Sequence, residues 1–180
     1  MMLMFGLMQL AKKIPFEDPQ VVMYARMAYL ASNVIIFSLY FYTRVMINKK
    51  NDMTTLKYVE PANPMSGQTE KKLVTTTIKE YDLQQISSAL RSSLMGIAML
   101  CGMHFYMGYT NPLVLQSVLP IKSAFEQKVI QIHVFGKAAS GDLKRPFKAA
   151  SLFGGASEVA TDKKAISEAE KSGLGGAKEE

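Results

Sequence analysis

Two long stretches of this chain contain no carboxylate. None lies between Asp18 and Asp52, and none between Asp82 and Glu126. Apolar residues fill most of both gaps, and uncharged polar residues crowd the remainder. A chain that folds in water spreads charge along its length to cover its surface. This distribution therefore points to two segments that meet something other than water. The overall hydrophobic fraction, 48%, is ordinary for a globular protein, so the patterning carries the information.

The first gap opens on "FEDPQ". Asp18 suits an N-cap and Pro19 the first helical position. The helix is expected to run to about Ile47, and Met27–Tyr42 within it is uncharged and rich in aromatics. At 1.5 Å per residue, residues 19–47 reach about 43 Å, enough to cross a hydrocarbon core with some tilt. The second gap follows "YDLQQISSAL", where Asp82 with Gln85 three residues on reads as a capping box. That helix is expected to end near Tyr109, with Arg91 at its entrance. Both are expected to be transmembrane. Residues 1–11 and 112–128 are apolar but too short for a straight crossing. In the second of these Asn111 is placed to cap, Pro112 to open the helix and Pro120 to interrupt it.

Between the long helices, "TTLKYVE" (54–60) and "KLVTTTIK" (72–79) alternate and are β-branched, and "PANPMSGQ" between them is turn chemistry. "VIQIHVF" (129–135) alternates in the same way and is expected to be a third short strand. From Gly136 onward the composition turns to Gly, Ala, Ser, Lys and Glu, as in an extended tail. The expected fold is a mainly α integral membrane protein. It has two full transmembrane helices, two short membrane helices, a small cytosolic antiparallel β-sheet and a flexible C-terminal tail. Its segments are 1–47 (short helix and first long helix), 48–81 (hairpin), 82–128 (second long helix and short return helix) and 129–180 (third strand and basic tail). In "MMLMFGLMQLAKK" the lysines follow the apolar run, so the segment reads as retained rather than cleaved.

The net charge is +6, which suits anionic lipid or RNA as a neighbour. Arg44, Lys49, Lys50, Lys57, Lys71, Lys72, Lys79 and Arg91 cluster on and beside the hairpin, against Lys12 and Lys13 at the other side. Positive charge favours the cytosolic face, which places the hairpin there. A return of residues 112–128 across the membrane brings the tail to the same side. Its Lys144, Arg145 and Lys148 then face ribosomal RNA or lipid phosphates.

No catalytic constellation is visible, so the chain is not expected to be an enzyme. His104 lies in a long helix, His133 in an expected strand, and Cys101 is the single cysteine, which excludes a disulfide within the chain. No P-loop and no metal-ligand spacing occurs, and no cofactor is expected. The polar residues inside the apolar helices are more informative. Arg26, Asn33, Tyr40 and Arg44 fall near one helical face. Arginine at a membrane centre costs roughly 2.5–3.5 kcal/mol. Either Arg26 snorkels to nearby headgroups, or Arg26, Asn33, Arg91 and His104 line a water-accessible groove. Met95, Met99, Met103 and Met107 recur every fourth residue, a stripe that serves either packing or contact with lipid and varied hydrophobic clients. Ser92 with Gly96 and Ala98 with Gly102 add weak small-xxx-small patterns.

"KNDMTTLKYVEPANPMSG" (50–67), "YTNPLVLQSVLPIKSAFE" (109–126) and "VFGKAASGDLKRPFKAASLFGG" (134–155) resemble a fungal family of the endoplasmic reticulum membrane. The family is known both as inorganic phosphate transport protein and as the third component of the SRP-independent (SND) targeting pathway. The resemblance implies a multi-pass endoplasmic reticulum protein that delivers or inserts membrane proteins. Its implied partners are nascent membrane proteins, the Sec translocon, the ribosome, lipids and other SND-pathway components. It transfers no individual functional residue. Two alternatives stand beside the insertion factor: a phosphate transporter or transport accessory, and a non-catalytic translocon scaffold subunit.

Overall fold

The computed structural model describes residues 5–6, 9, 13–60, 72–108, 110–147, 166–167 and 171. Most of the expected short helix over residues 1–11, the hairpin turn and most of the tail lie outside the described residues. Two compact units divide the chain: residues 1–49 with 83–136, and residues 50–82 with 137–180.

In the first unit, α1 (Pro19–Lys50) starts as its sequence dictates: the Asp18 carboxylate accepts the N–H of Gln20 at 2.8 Å. It ends before Asn51, which takes a left-handed conformation (φ 45°) that asparagine tolerates at a helix stop. The second long helix, α2 (Ile78–Met107), stops before Gly108, whose φ of 70° only glycine adopts at no cost. Among the described residues, these are the two helices long and apolar enough to cross a membrane. Only 28% of the apolar window of α1 and 11% of that of α2 is buried, so both leave most of an apolar surface uncovered.

α1 buries Ala25, Ser32, Ile36, Tyr40, Thr43 and Ile47, steps of seven, four, four, three and four residues that hold one face inward. The buried hydroxyls are satisfied within their own helix: Ser32 bonds the Tyr29 carbonyl at 2.7 Å and Thr43 that of Leu39 at 2.7 Å. Ala25 packs with Leu100 of α2 and Leu113 of α3 (Asn111–Glu126), with Tyr29 and Val114 against them. Further along, the Gln127 amide donates to the Tyr40 hydroxyl at 3.0 Å. Ala25 and Tyr40 thus meet residues at the start and just past the end of α3, so α1 and α3 run in the same direction. Pro120 sits inside α3 without ending it, and Asn111 is its first residue, with Thr110 at the cap and no side-chain capping bond.

The third strand is not formed. "VIQIHVF" is a short helix, α4 (Lys128–His133), set off from α3 by the extended Gln127. Over so few residues, alternation does not separate the two periods. Val129, Ile130 and Ile132 are all buried, which a half-buried strand would not allow.

In the second unit, β1 (Thr55–Glu60) and β2 (Lys72–Thr77) pair antiparallel, with Tyr58 opposite Val74 and Val59 opposite Leu73. Val59 and Leu73 form a small apolar cluster with Ile166. β2 runs straight into α2, which begins four residues before the expected Asp82. The reason is a competing cap: the Glu80 N–H donates to the Thr77 hydroxyl at 3.2 Å, and the Glu80 carboxylate accepts from Thr76 at 3.0 Å. Asp82 is thereby freed from capping.

Candidate functional site

The side chains of α2 sort into two faces. Ile86 and Leu100 are buried and Ser93, Ile97 and His104 partly so, all within one narrow arc of the helix. The opposite arc is exposed throughout: Gln84, Ser88, Arg91, Met95, Met99, Gly102 and Tyr106. Along this exposed line the character changes from polar, up to Arg91, to soft and apolar, from Met95 on. Met95 and Met99 are 69% and 71% exposed. A spacing of four residues overshoots the helical turn by about 40° per step, so the methionine series winds off this face. Met103 is accordingly half-buried, and Met107 is exposed as the last residue of α2.

The four residues expected to line one groove separate into three places. Arg26 and His104 meet: the Arg26 Nε donates to the His104 Nε2 at 3.0 Å. Asn33 turns its amide back onto the Tyr29 carbonyl of its own helix at 2.8 Å. Arg91 is on the exposed arc of α2, opposite the arc that carries His104, and thirteen residues from it, about 20 Å along the axis. Tyr40, grouped with Arg26 by spacing, is buried, while Arg44 is exposed.

The three basic residues expected to face RNA or lipid also diverge. Lys144 is exposed and Lys148 lies outside the described residues. Arg145 is buried. Its Nε and Nη2 donate to the two carboxylate oxygens of Asp82 at 2.7 and 2.6 Å, with the side chains 8% and 0% exposed. Its guanidinium is a structural partner of the fully buried Asp82. Around the pair, Tyr81 lies edge-on to Tyr58 (centroids 5.7 Å apart), and Phe147 is 5.5 Å from Tyr81. The Phe147 N–H donates to the Tyr81 hydroxyl at 2.7 Å. Burial, and then the Glu60 carboxylate, hold the Tyr58 hydroxyl far above the usual phenol range. Among the described residues no group of His, Cys, Asp and Glu is arranged to hold a metal ion.

The family model for phosphate transport (Pho88) matches residues 1–177. The chain belongs to the Pho88 family. It is 52% identical to "SRP-independent targeting protein 3" of Saccharomyces cerevisiae, covering 99% of this chain and 95% of that protein. It is 43% identical to "SRP-independent targeting protein 3 homolog" of Schizosaccharomyces pombe, over 91% of this chain and 85% of that one. A second protein of Schizosaccharomyces pombe, of uncharacterized function, is 53% identical over 86% of this chain and 77% of its own length. No solved structure matches the chain.

For this Pho88-family chain, sequence reasoning missed the Asp82–Arg145 pair and its aromatic surround. One signal was present. Asp82 is the last acid before a long carboxylate-free helix, and a buried carboxylate requires a cation. What spacing cannot supply is which cation, since the two residues lie 63 positions apart.

Proposed function

We propose that the protein is an SRP-independent targeting and insertion factor of the endoplasmic reticulum membrane, with α1 and α2 spanning the bilayer. The hairpin and the start of the tail are cytosolic. The observation that carries this reading is the exposed arc of α2. Gln84, Ser88 and Arg91 offer hydrogen bonds to the polar flank of an incoming segment, and Met95 and Met99 offer an adaptable apolar surface to its hydrophobic part. A face that changes in this order lowers the cost of moving polar groups past lipid. The relatives named for SRP-independent targeting support the same reading. In this role the protein receives nascent membrane proteins and works with the ribosome, the Sec translocon and other SND-pathway components. Lys144 contributes a contact to ribosomal RNA or anionic lipid.

Photocrosslinking probes at positions 95 and 99, in microsomes translating membrane proteins, test it. Adducts to different nascent chains are expected, with none from the buried position 100. One constant partner at both positions would instead make the chain a scaffold subunit. The family description supports a second reading, phosphate movement. Secondary transporters are built from many helices around a midplane site, and two candidate spans fall short of that. Phosphate flux through the purified chain in liposomes would reverse the order of the two readings.

A further inference from the structure

The pairing of Arg26 with His104 leaves a charge unanswered. Histidine accepts this hydrogen bond through a ring nitrogen lone pair, so the imidazole is neutral and its proton sits on Nδ1. A neutral acceptor fixes the direction of the guanidinium but cancels none of its charge. No carboxylate pairs with Arg26 among the described residues, and the stretches 19–51 and 83–125 contain no acid; the two acids of α2, Glu80 and Asp82, lie at its opposite end from His104. The geometry leaves one edge of the guanidinium in use. Nε is committed to His104, and the two terminal nitrogens of this exposed side chain form a fork that no described residue pairs with.

The surroundings identify what the fork meets. Ala25, the preceding residue, is locked in the core with Leu100 and Leu113, so the backbone under Arg26 is fixed. Arg26 lies seven residues into α1, about 10 Å from Pro19, and His104 three residues from the end of α2. Exposed aromatics share this level. Tyr24, Phe105 and Tyr106 all project outward, and the His104 ring lies edge-on to Phe105 at 5.3 Å. Exposed tyrosines at the ends of apolar helices are the side chains of a membrane–water boundary. The anion present in quantity at that depth is the phosphate of a lipid headgroup. An arginine fork matches two phosphate oxygens with parallel charge-assisted hydrogen bonds.

We infer that Arg26, oriented through its Nε by His104, forms a receptor for one phosphate group, carried by a lipid headgroup at the end of the helix pair. Arg26 makes the contact, and His104 is a positioning residue. The inference shares with the functional proposal the embedding of α1 and α2 in the membrane and is independent of client handling.

The test is lipid retention by the full-length chain in mild detergent, read by native mass spectrometry. Phosphatidylinositol is compared with diacylglycerol of the same acyl chains, which lacks the phosphate. The wild type should retain the phospholipid and not the diacylglycerol. Arg26→Ala should lower retention by roughly tenfold or more, the loss expected for a charge-assisted bidentate contact. Arg26→Lys should fail to restore it, because an ammonium has no fork. His104→Ala should reduce it by a smaller factor. Arg44→Ala, an exposed arginine elsewhere on α1, should leave it unchanged. Displacement of the lipid by millimolar inorganic phosphate would assign the same fork to the free anion, and persistence assigns it to the headgroup. Equal retention by wild type and Arg26→Ala, or equal retention of diacylglycerol, overturns the inference. Crosslinking from position 99 is expected to survive Arg26→Ala, so failure here and failure of the insertion reading are separable.

Discussion

The Asp82 carboxylate, with no solvent exposure, accepts hydrogen bonds from both Nε and Nη2 of Arg145 at 2.7 and 2.6 Å. The pair ties the tail segment ahead of Phe147 to the first turn of α2. Removing one partner leaves the other charge buried without its ion-pair partner, which costs about 3–5 kcal/mol. Arg145→Ala and Asp82→Ala should each expose the segment around residues 137–147 to trypsin and reduce the near-ultraviolet signal of Tyr58 and Tyr81. Arg145→Lys should recover little, since it keeps the charge and loses the second hydrogen bond. The double replacement Asp82→Leu with Arg145→Met should recover most of the loss, because no charge then remains buried. Equal protease resistance in wild type and Arg145→Ala would dismiss the pair as a stabilising element.

The two long helices were legible because nothing else explains gaps without acid on that scale, and the hairpin because its alternation is backed by β-branched residues on both sides of a turn. Three features were not legible. Six residues of alternation do not tell α4 from a strand. Two overlapping caps, Thr77 with Glu80 and Asp82 with Gln85, compete for one helix start, and the earlier wins where β2 delivers the chain. Helical spacing places Arg26 and Asn33 near one another, but pairing across helices depends on rotation about the axis, which sends Arg26 to His104 and leaves Asn33 on its own carbonyl.

Tyr58 gives the second unit an alkaline limit. Its hydroxyl sits well above its ordinary value of 10.0, first through burial and then through Glu60, which accepts its hydrogen bond at 3.4 Å. A group whose folded-state value is raised favours the folded state fully below its unfolded value. That contribution is lost as pH climbs past about 10, where the unfolded chain ionises and the folded one does not. Melting followed by near-ultraviolet circular dichroism should be flat from pH 8 to 9.5 in this respect and fall beyond it. Tyr58→Phe should fall less steeply over the same interval. Matching slopes in the two proteins would rule out Tyr58 as a source of the alkaline loss.

Tyr40 and Tyr42 make a matched pair on α1. Tyr40 is buried and its hydroxyl accepts the Gln127 amide, whereas Tyr42 is exposed. Tyr40→Phe strands the amide without its acceptor and should cost about 1–3 kcal/mol, read as a lower denaturant midpoint in detergent. Tyr42→Phe should stay within about 0.5 kcal/mol of wild type. Comparable losses in the two variants would show that the Gln127 contact does not hold α1 to the residue that closes α3.

The separation of Arg91 from His104 yields a topological prediction. From Arg26 to Lys50 is about 36 Å along α1, the full depth of a bilayer core, and Ser88 and Arg91 occupy the first half of α2, nearest the hairpin in sequence. With Cys101→Ser as background, Ser88→Cys in intact microsomes should react with a membrane-impermeant maleimide added from the cytosolic side. Ile86→Cys, on the buried arc, should react much more slowly. Arg26→Cys should react only after the membrane is permeabilised, because the proposed topology puts its level at the far boundary. Cytosolic labelling at position 26 without permeabilisation would mean that water reaches from the hairpin side to His104, and one continuous groove would then replace the divided arrangement.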